Sequence, residues 1–205
     1  MALSPLRLAV HLLAWIPFVG LLTAYLSGNL TVNPIQAATQ WSGRFALGLL
    51  ITSLACTPLD IVFGWRAISR HRRALGLYAF LYASLHLLIL VGLDYGFALA
   101  LLWKDLAFKP YILVGAGALL ILTTLAVTSF KWWQKRLGKG WKRLHRLVYL
   151  AAVLAVLHFA WARKGNLFTL SGDIGWPLAA ALGVAFLLLV RLPPLRRRLV
   201  RWRQS

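Results

Sequence analysis

The sequence predicts an all-α membrane protein: a polytopic bundle of six transmembrane helices, one domain over residues 1–205, with both termini cytosolic. Three observations carry that expectation. Of the residues, 60% are hydrophobic and the mean hydropathy is +0.74, far above the roughly 45–50% apolar content of soluble domains. The apolar residues gather into six continuous runs, each able to cross about 30 Å of hydrocarbon as a helix. The 23 Lys and Arg, set against four acids for a net charge of +19, fall mostly between those runs.

The runs lie at about 8–26, 44–63, 74–95, 111–130, 144–161 and 176–192. Lipid cannot satisfy an open strand edge, so helices are the expected form. The continuity of the runs also excludes a barrel, whose strands would alternate. The first run continues to Leu26 without a small-residue cleavage motif and is read as a retained span. Pro110 opens the fourth run and Pro193-Pro194 closes the sixth, as the lost amide N–H of proline favours at helix boundaries. Pro17, Pro58 and Pro177 lie within or near span ends, where they kink or start helices. The outer loops, about 28–43, 96–110 and 162–175, are short. Six spans leave no length for a soluble domain, so chemistry outside the membrane must come from partners.

Charge fixes the orientation. With the N-terminus in the cytosol, 18 of the 23 cations fall on the cytosolic side, and only Arg44, Lys104, Lys109, Arg163 and Lys164 fall outside. That is the positive-inside asymmetry of a membrane protein, and it accounts for the basic balance through the anionic leaflet rather than through nucleic acid. The single Cys56 excludes an internal disulfide and CxxC chemistry.

Ionisable groups inside lipid are expensive and call for a function. His86 lies in the third run and His158 in the fifth, on helices that both run outward. From Ala74 to His86 is ~18 Å of helical rise, and from Leu144 to His158 ~21 Å. Two helices thus bring an imidazole to nearly one depth, as a bis-histidine haem requires. Residues three and seven before each histidine share its face, and they are Ala83 and Ala79, and Ala155 and Ala151. Such small side chains leave room for a flat macrocycle, and they also suit close helix packing. His145 and His11 sit at the cytosolic ends of the fifth and first runs and are candidates for a second, inner haem. However, the 13 residues from His145 to His158 turn a regular helix about 220°, onto a different face. His71 falls in the basic Arg70–Arg73 run, a solvated face. Arg72, Arg73 and Arg143 are candidate anchors for haem propionates, a flavin phosphate or a quinone head group. Asp60 and Asp94 lie at span ends. No dinucleotide, P-loop or HExxH motif is present.

The stretches Arg72–His86 and Arg136–Leu150, with His158 downstream, resemble the MsrQ (YedZ) family of the ferric-reductase-like transmembrane group. Ser42-Gly43-Arg44, Thr57-Pro58-Leu59 and Lys109-Pro110-Tyr111 fit the same family. The resemblance implies a bacterial inner-membrane electron-transfer subunit, non-catalytic in itself. It would pass electrons from the quinone pool or a cytosolic flavin reductase to MsrP, the periplasmic molybdopterin subunit that repairs oxidised methionines. It implies one or two haem b, ligated among His86, His158 and His145, and FMN. The rival readings are a histidine-dependent proton- or metal-coupled transporter and a purely structural membrane anchor.

Overall fold

The structure, a computed structural model, describes residues 5–167 and 169–204. Its helices are α1 (Pro5–Leu26), α2 (Pro34–Phe63), α3 (Arg66–Ser69), α4 (Arg72–Ile89), α5 (Leu99–Phe108), α6 (Pro110–Val127), α7 (Lys131–Leu137), α8 (Lys139–Leu144), α9 (Leu147–Ala162), α10 (Gly175–Leu189) and α11 (Pro193–Gln204). A π-helical turn, Leu90–Asp94, continues α4. The only extended pairing among the described residues is an isolated bridge, Asn166 with Ser171. The protein is an all-α polytopic membrane bundle. Among the described residues, five stretches are long and apolar enough to cross a membrane: α1, α2, α4 with its π turn, α6, and α8 with α9. A sixth exists only if α10 and α11, bent by 75°, count as one.

Several boundaries differ from the hydropathy pattern. α2 starts at Pro34 rather than near 44, because the Asn33 side chain accepts from the Gln36 amide and Pro34 takes the first helical position. Most of the expected first outer loop is therefore helix, and so is most of the second, as α5. The fifth run is interrupted at His145–Arg146, between α8 and α9. The sixth run stops short at Leu189, ahead of Pro193.

Packing concentrates in two helix pairs, α2 with α4 and α6 with α9. Alanines make this possible: Ala79 on α4 and Ala151, Ala152 and Ala160 on α9 are fully buried, which lets the backbones approach closely. Leu47, Leu50 and Leu54 of α2 and Leu122 of α6 close the core between the pairs. Apolar residues such as Leu13, Ile16, Leu120 and Phe186 are exposed, as they should be where lipid is the solvent.

Hydrogen bonds also tie the elements to one another. Tyr82 donates from its hydroxyl to the Ala14 carbonyl (2.7 Å), tying α4 to α1. The Trp141 indole N–H donates to the Thr128 carbonyl (2.8 Å), and Ser53 Oγ to the Arg72 carbonyl (2.7 Å).

Candidate functional site

α4 and α9 bring the rings of His86 and His158 together, near the outer ends of the two helices. The ring centroids are 5.9 Å apart and the ring planes stand at 84°. His86 Nδ1 lies 2.8 Å from the carbonyl of Thr39 on α2, and His158 Nδ1 lies 2.7 Å from the carbonyl of Tyr111 on α6. A carbonyl only accepts, so each Nδ1 carries the proton and each Nε2 keeps its lone pair. This is how a metal-binding imidazole is oriented and made more basic by an outer partner.

Each ring also lies against a glycine. A Cβ at Gly43 would stand 3.1 Å from His86 Nδ1, and one at Gly115 would stand 2.6 Å from His158 Nδ1. The arrangement is duplicated. Adding 72 to Thr39, Gly43, Ala79, Ala83 and His86 gives Tyr111, Gly115, Ala151, Ala155 and His158. In both halves the carbonyl lies 47 residues before the histidine it holds.

A cavity of about 440 Å³ surrounds the two rings, within the size range of cofactor pockets. Leu47, Leu50, Leu119, Leu122 and Phe159 supply apolar wall, while Gln36, Gln40, Arg44, Asp94 and Arg163 supply its polar lining. Of the small residues sharing the histidine faces, Ala83 and Ala155 line the cavity. Ala79 and Ala151 instead pack in the core. Among the described residues no group of three or more His, Cys, Asp or Glu could hold a bare metal ion. Two imidazoles suit a metal whose remaining ligands arrive with it, as in a porphyrin. Metal–nitrogen bonds to imidazole are about 2 Å, so two rings with centres 5.9 Å apart could both reach one metal ion. The observed spacing, the free Nε2 atoms and the apolar cavity fit haem.

The model of the family described as "Ferric reductase like transmembrane component" matches residues 42–156, a stretch that contains Gly43, His86 and Gly115. A Rhodospirillum rubrum protein is 43% identical over 193 residues, covering 94% of this chain and 89% of its own length. Relatives from Deinococcus radiodurans (45% identical, 86% of this chain and 84% of the relative) and Cronobacter sakazakii (38%, 94% and 93%) are similar. All three are named protein-methionine-sulfoxide reductase heme-binding subunit MsrQ. The chain belongs to the MsrQ family. No solved structure matches it.

Of the other residues singled out for this MsrQ-family chain, Arg44 and Asp94 line the cavity, and the remaining histidines lie elsewhere. His145 does not line the cavity; it stacks on Trp141, one turn earlier, with centroids 4.0 Å apart, and its Nδ1 lies 3.2 Å from the Trp141 carbonyl. His11 engages the Tyr78 hydroxyl at 2.8 Å. The rings of His11 and His145 thus have separate partners and form no pair like His86 and His158. His71 sits at the N-cap position of α4. The arginines lining the cavity are Arg44 and Arg163, not Arg72, Arg73 or Arg143. Arg163 also pairs with Asp173, its Nε donating at 2.8 Å. Asp60 accepts from Ser69 Oγ (3.0 Å), and Cys56 is a buried free thiol. Sequence reasoning missed Thr39 and Gly115, and named Gly43 and Tyr111 only within family motifs, without a role at the histidines. Its available signal was the Gly-to-His interval of 43 residues, present twice in the sequence.

Proposed function

We propose that the chain is the haem-carrying membrane subunit of a methionine sulfoxide reductase system, with His86 and His158 as the axial pair. The observation that carries this reading is the meeting of the two imidazoles inside one cavity, each Nδ1–H spent on a backbone carbonyl. The names of the relatives support haem as the cofactor. Haem b bound there would supply one-electron exchange, tuned by its ligands and burial. The chain's own residues would hold the two imidazoles in one tautomer and surround them with apolar side chains. A single haem is the favoured count, because His145 and His11 are directed to Trp141 and Tyr78.

In this reading the chain sits in a bacterial inner membrane, with the basic end of the bundle toward the cytosol as the positive-inside rule expects. The polar side of the cavity, with Arg44 and Arg163, then faces the periplasm. Electrons would enter from the quinone pool or a cytosolic flavin reductase and leave to a periplasmic partner, the molybdopterin subunit MsrP. FMN belongs to this reading through the family resemblance alone.

The test is an absorbance spectrum of the full chain purified in mild detergent. A low-spin Soret band that shifts on dithionite reduction is expected, and His86→Ala or His158→Ala should each remove most of the bound haem. A colourless preparation from haem-replete cells would overturn the reading in favour of an anchor or transporter. Full haem retention in both variants would overturn the axial pair.

A further inference from the structure

The elbow between α10 and α11 encloses a second concavity, remote in chemistry from the histidine site. Arg191, Arg196, Arg197 and Arg201, with Pro193 and Val200, line a space of about 760 Å³. No carboxylate is in that lining. Like charges gathered around one concavity repel, and more strongly as they leave bulk water, unless an anion sits among them.

Arg191 is held, not solvated. Its Nη2 donates to the Leu54 carbonyl of α2 at 2.5 Å, and its guanidinium carbon lies 5.1 Å from the Tyr149 ring centroid on α9. Its Nη1 is buried and has no partner among the described residues, although buried donors are nearly always satisfied. The far wall is anchored too. Arg203 Nη1 donates to the carbonyls of Asp60 (2.9 Å) and Ile61 (3.3 Å) at the end of α2. Both walls are therefore fixed to α2, and the 75° bend is preformed.

α10, which runs up to the elbow, exposes an apolar face: Leu182, Phe186 and Leu189 are 63%, 64% and 51% exposed. At i, i+4 and i+7 they share one face of the helix. A guanidinium cluster at the end of a helix that exposes an apolar face offers a surface to both parts of a lipid, head group and acyl chain.

We propose that the elbow binds a phosphate group and that its carrier is an anionic phospholipid. The guanidiniums take the phosphodiester, matching its oxygens with forked N–H donors, and the acyl chains lie along Leu182, Phe186 and Leu189. A soluble phosphate compound would use the arginines but not the apolar face. This site stands whether or not the histidine pair holds haem.

The test is native mass spectrometry of the full chain in detergent, titrated with phosphatidylglycerol. Wild type is expected to retain one lipid, and R196Q/R197Q/R201Q to weaken retention about a hundredfold, taking about fivefold per basic group. The charge-matched K131Q/K135Q/K139Q set, outside the elbow, should lose only a few-fold. Helical circular dichroism checks that each variant is folded; if the triple does not fold, R201Q alone should show the fivefold loss. Equal losses in the two sets would reduce the elbow to diffuse attraction and overturn the site. Equal retention of phosphatidylcholine would overturn the preference for an anionic lipid, and displacement of the lipid by millimolar inorganic phosphate would overturn the lipid as carrier.

Discussion

In the α2–α4 pair, a Cβ at Gly43 would meet the His86 ring at 3.1 Å. In the α6–α9 pair, a Cβ at Gly115 would meet the His158 ring at 2.6 Å from Nδ1 and 2.8 Å from Cε1. The first contact asks a neighbour to yield by a few tenths of an ångström; the second has no room at all. The surroundings differ in the same direction. α2 runs for 30 residues and α6 for 18, so the first pair has more helix over which to spread a small shift. Tyr111 gives His158 its carbonyl and also a ring 6.0 Å away. It follows Pro110 directly, and the preceding Lys109 is pinned to Asp105 (2.5 Å), which also accepts from the Tyr95 hydroxyl (2.6 Å). One plan occurs twice, but the second copy holds its imidazole in a stiffer seat.

The largest expected effect follows from that seat. Gly115→Ala should displace the His158 ring and remove most of the haem, read as the ratio of Soret to protein absorbance. Next, Gly43→Ala should retain a clearly larger share under the same measurement. Indistinguishable retention in the two variants would end the claim that the copies differ in tightness. Smaller and symmetric effects are expected at the duplicated core alanines. Ala79→Leu and Ala151→Leu overpack fully buried positions and should each lower stability by about 1–3 kcal/mol, measured by thermal unfolding in detergent. A marked imbalance between them would show that the core, too, departs from the repeat.

The smallest effect concerns the connector. The hydrogen bond from Lys109 first, then that from Tyr95, holds the Asp105 carboxyl below the usual carboxylate range. Its folded pKa is therefore below the unfolded value of about 3.9. The stabilisation is present above that value and is lost as the pH falls through the depressed one. Wild type should lose this increment only in acid, and Asp105→Asn should lack it at neutral pH. Thermal unfolding followed against pH checks both.

Much of this was legible in the sequence. Hydropathy gave the helical bundle, and counting helical rise to His86 and His158 brought them to one depth. The rest was hidden for physical reasons. The start of α2 carries Gln36, Gln40 and Arg44, which lower the hydropathy there because they line the polar side of the cavity. The break at His145–Arg146 invalidates a regular helical wheel between His145 and His158. The part Thr39 and Tyr111 play at the histidines has no sequence signal, because they act through a carbonyl that every residue possesses. Gly43 and Gly115 did leave a trace, but an interval of 43 residues means nothing until the paired helices are known. Pro193-Pro194 marked a helix end without revealing that Arg203 would fold α11 back onto α2.

Because the orienting acceptors for both histidines are peptide oxygens, replacing the side chains of Thr39 or Tyr111 leaves those acceptors in place. A saturation screen scored by loss of pigment would return the histidines and the tighter glycine, yet pass over positions 39 and 111. Isotope-edited infrared spectroscopy, with ¹³C placed in those two carbonyls, would see what such genetics overlooks.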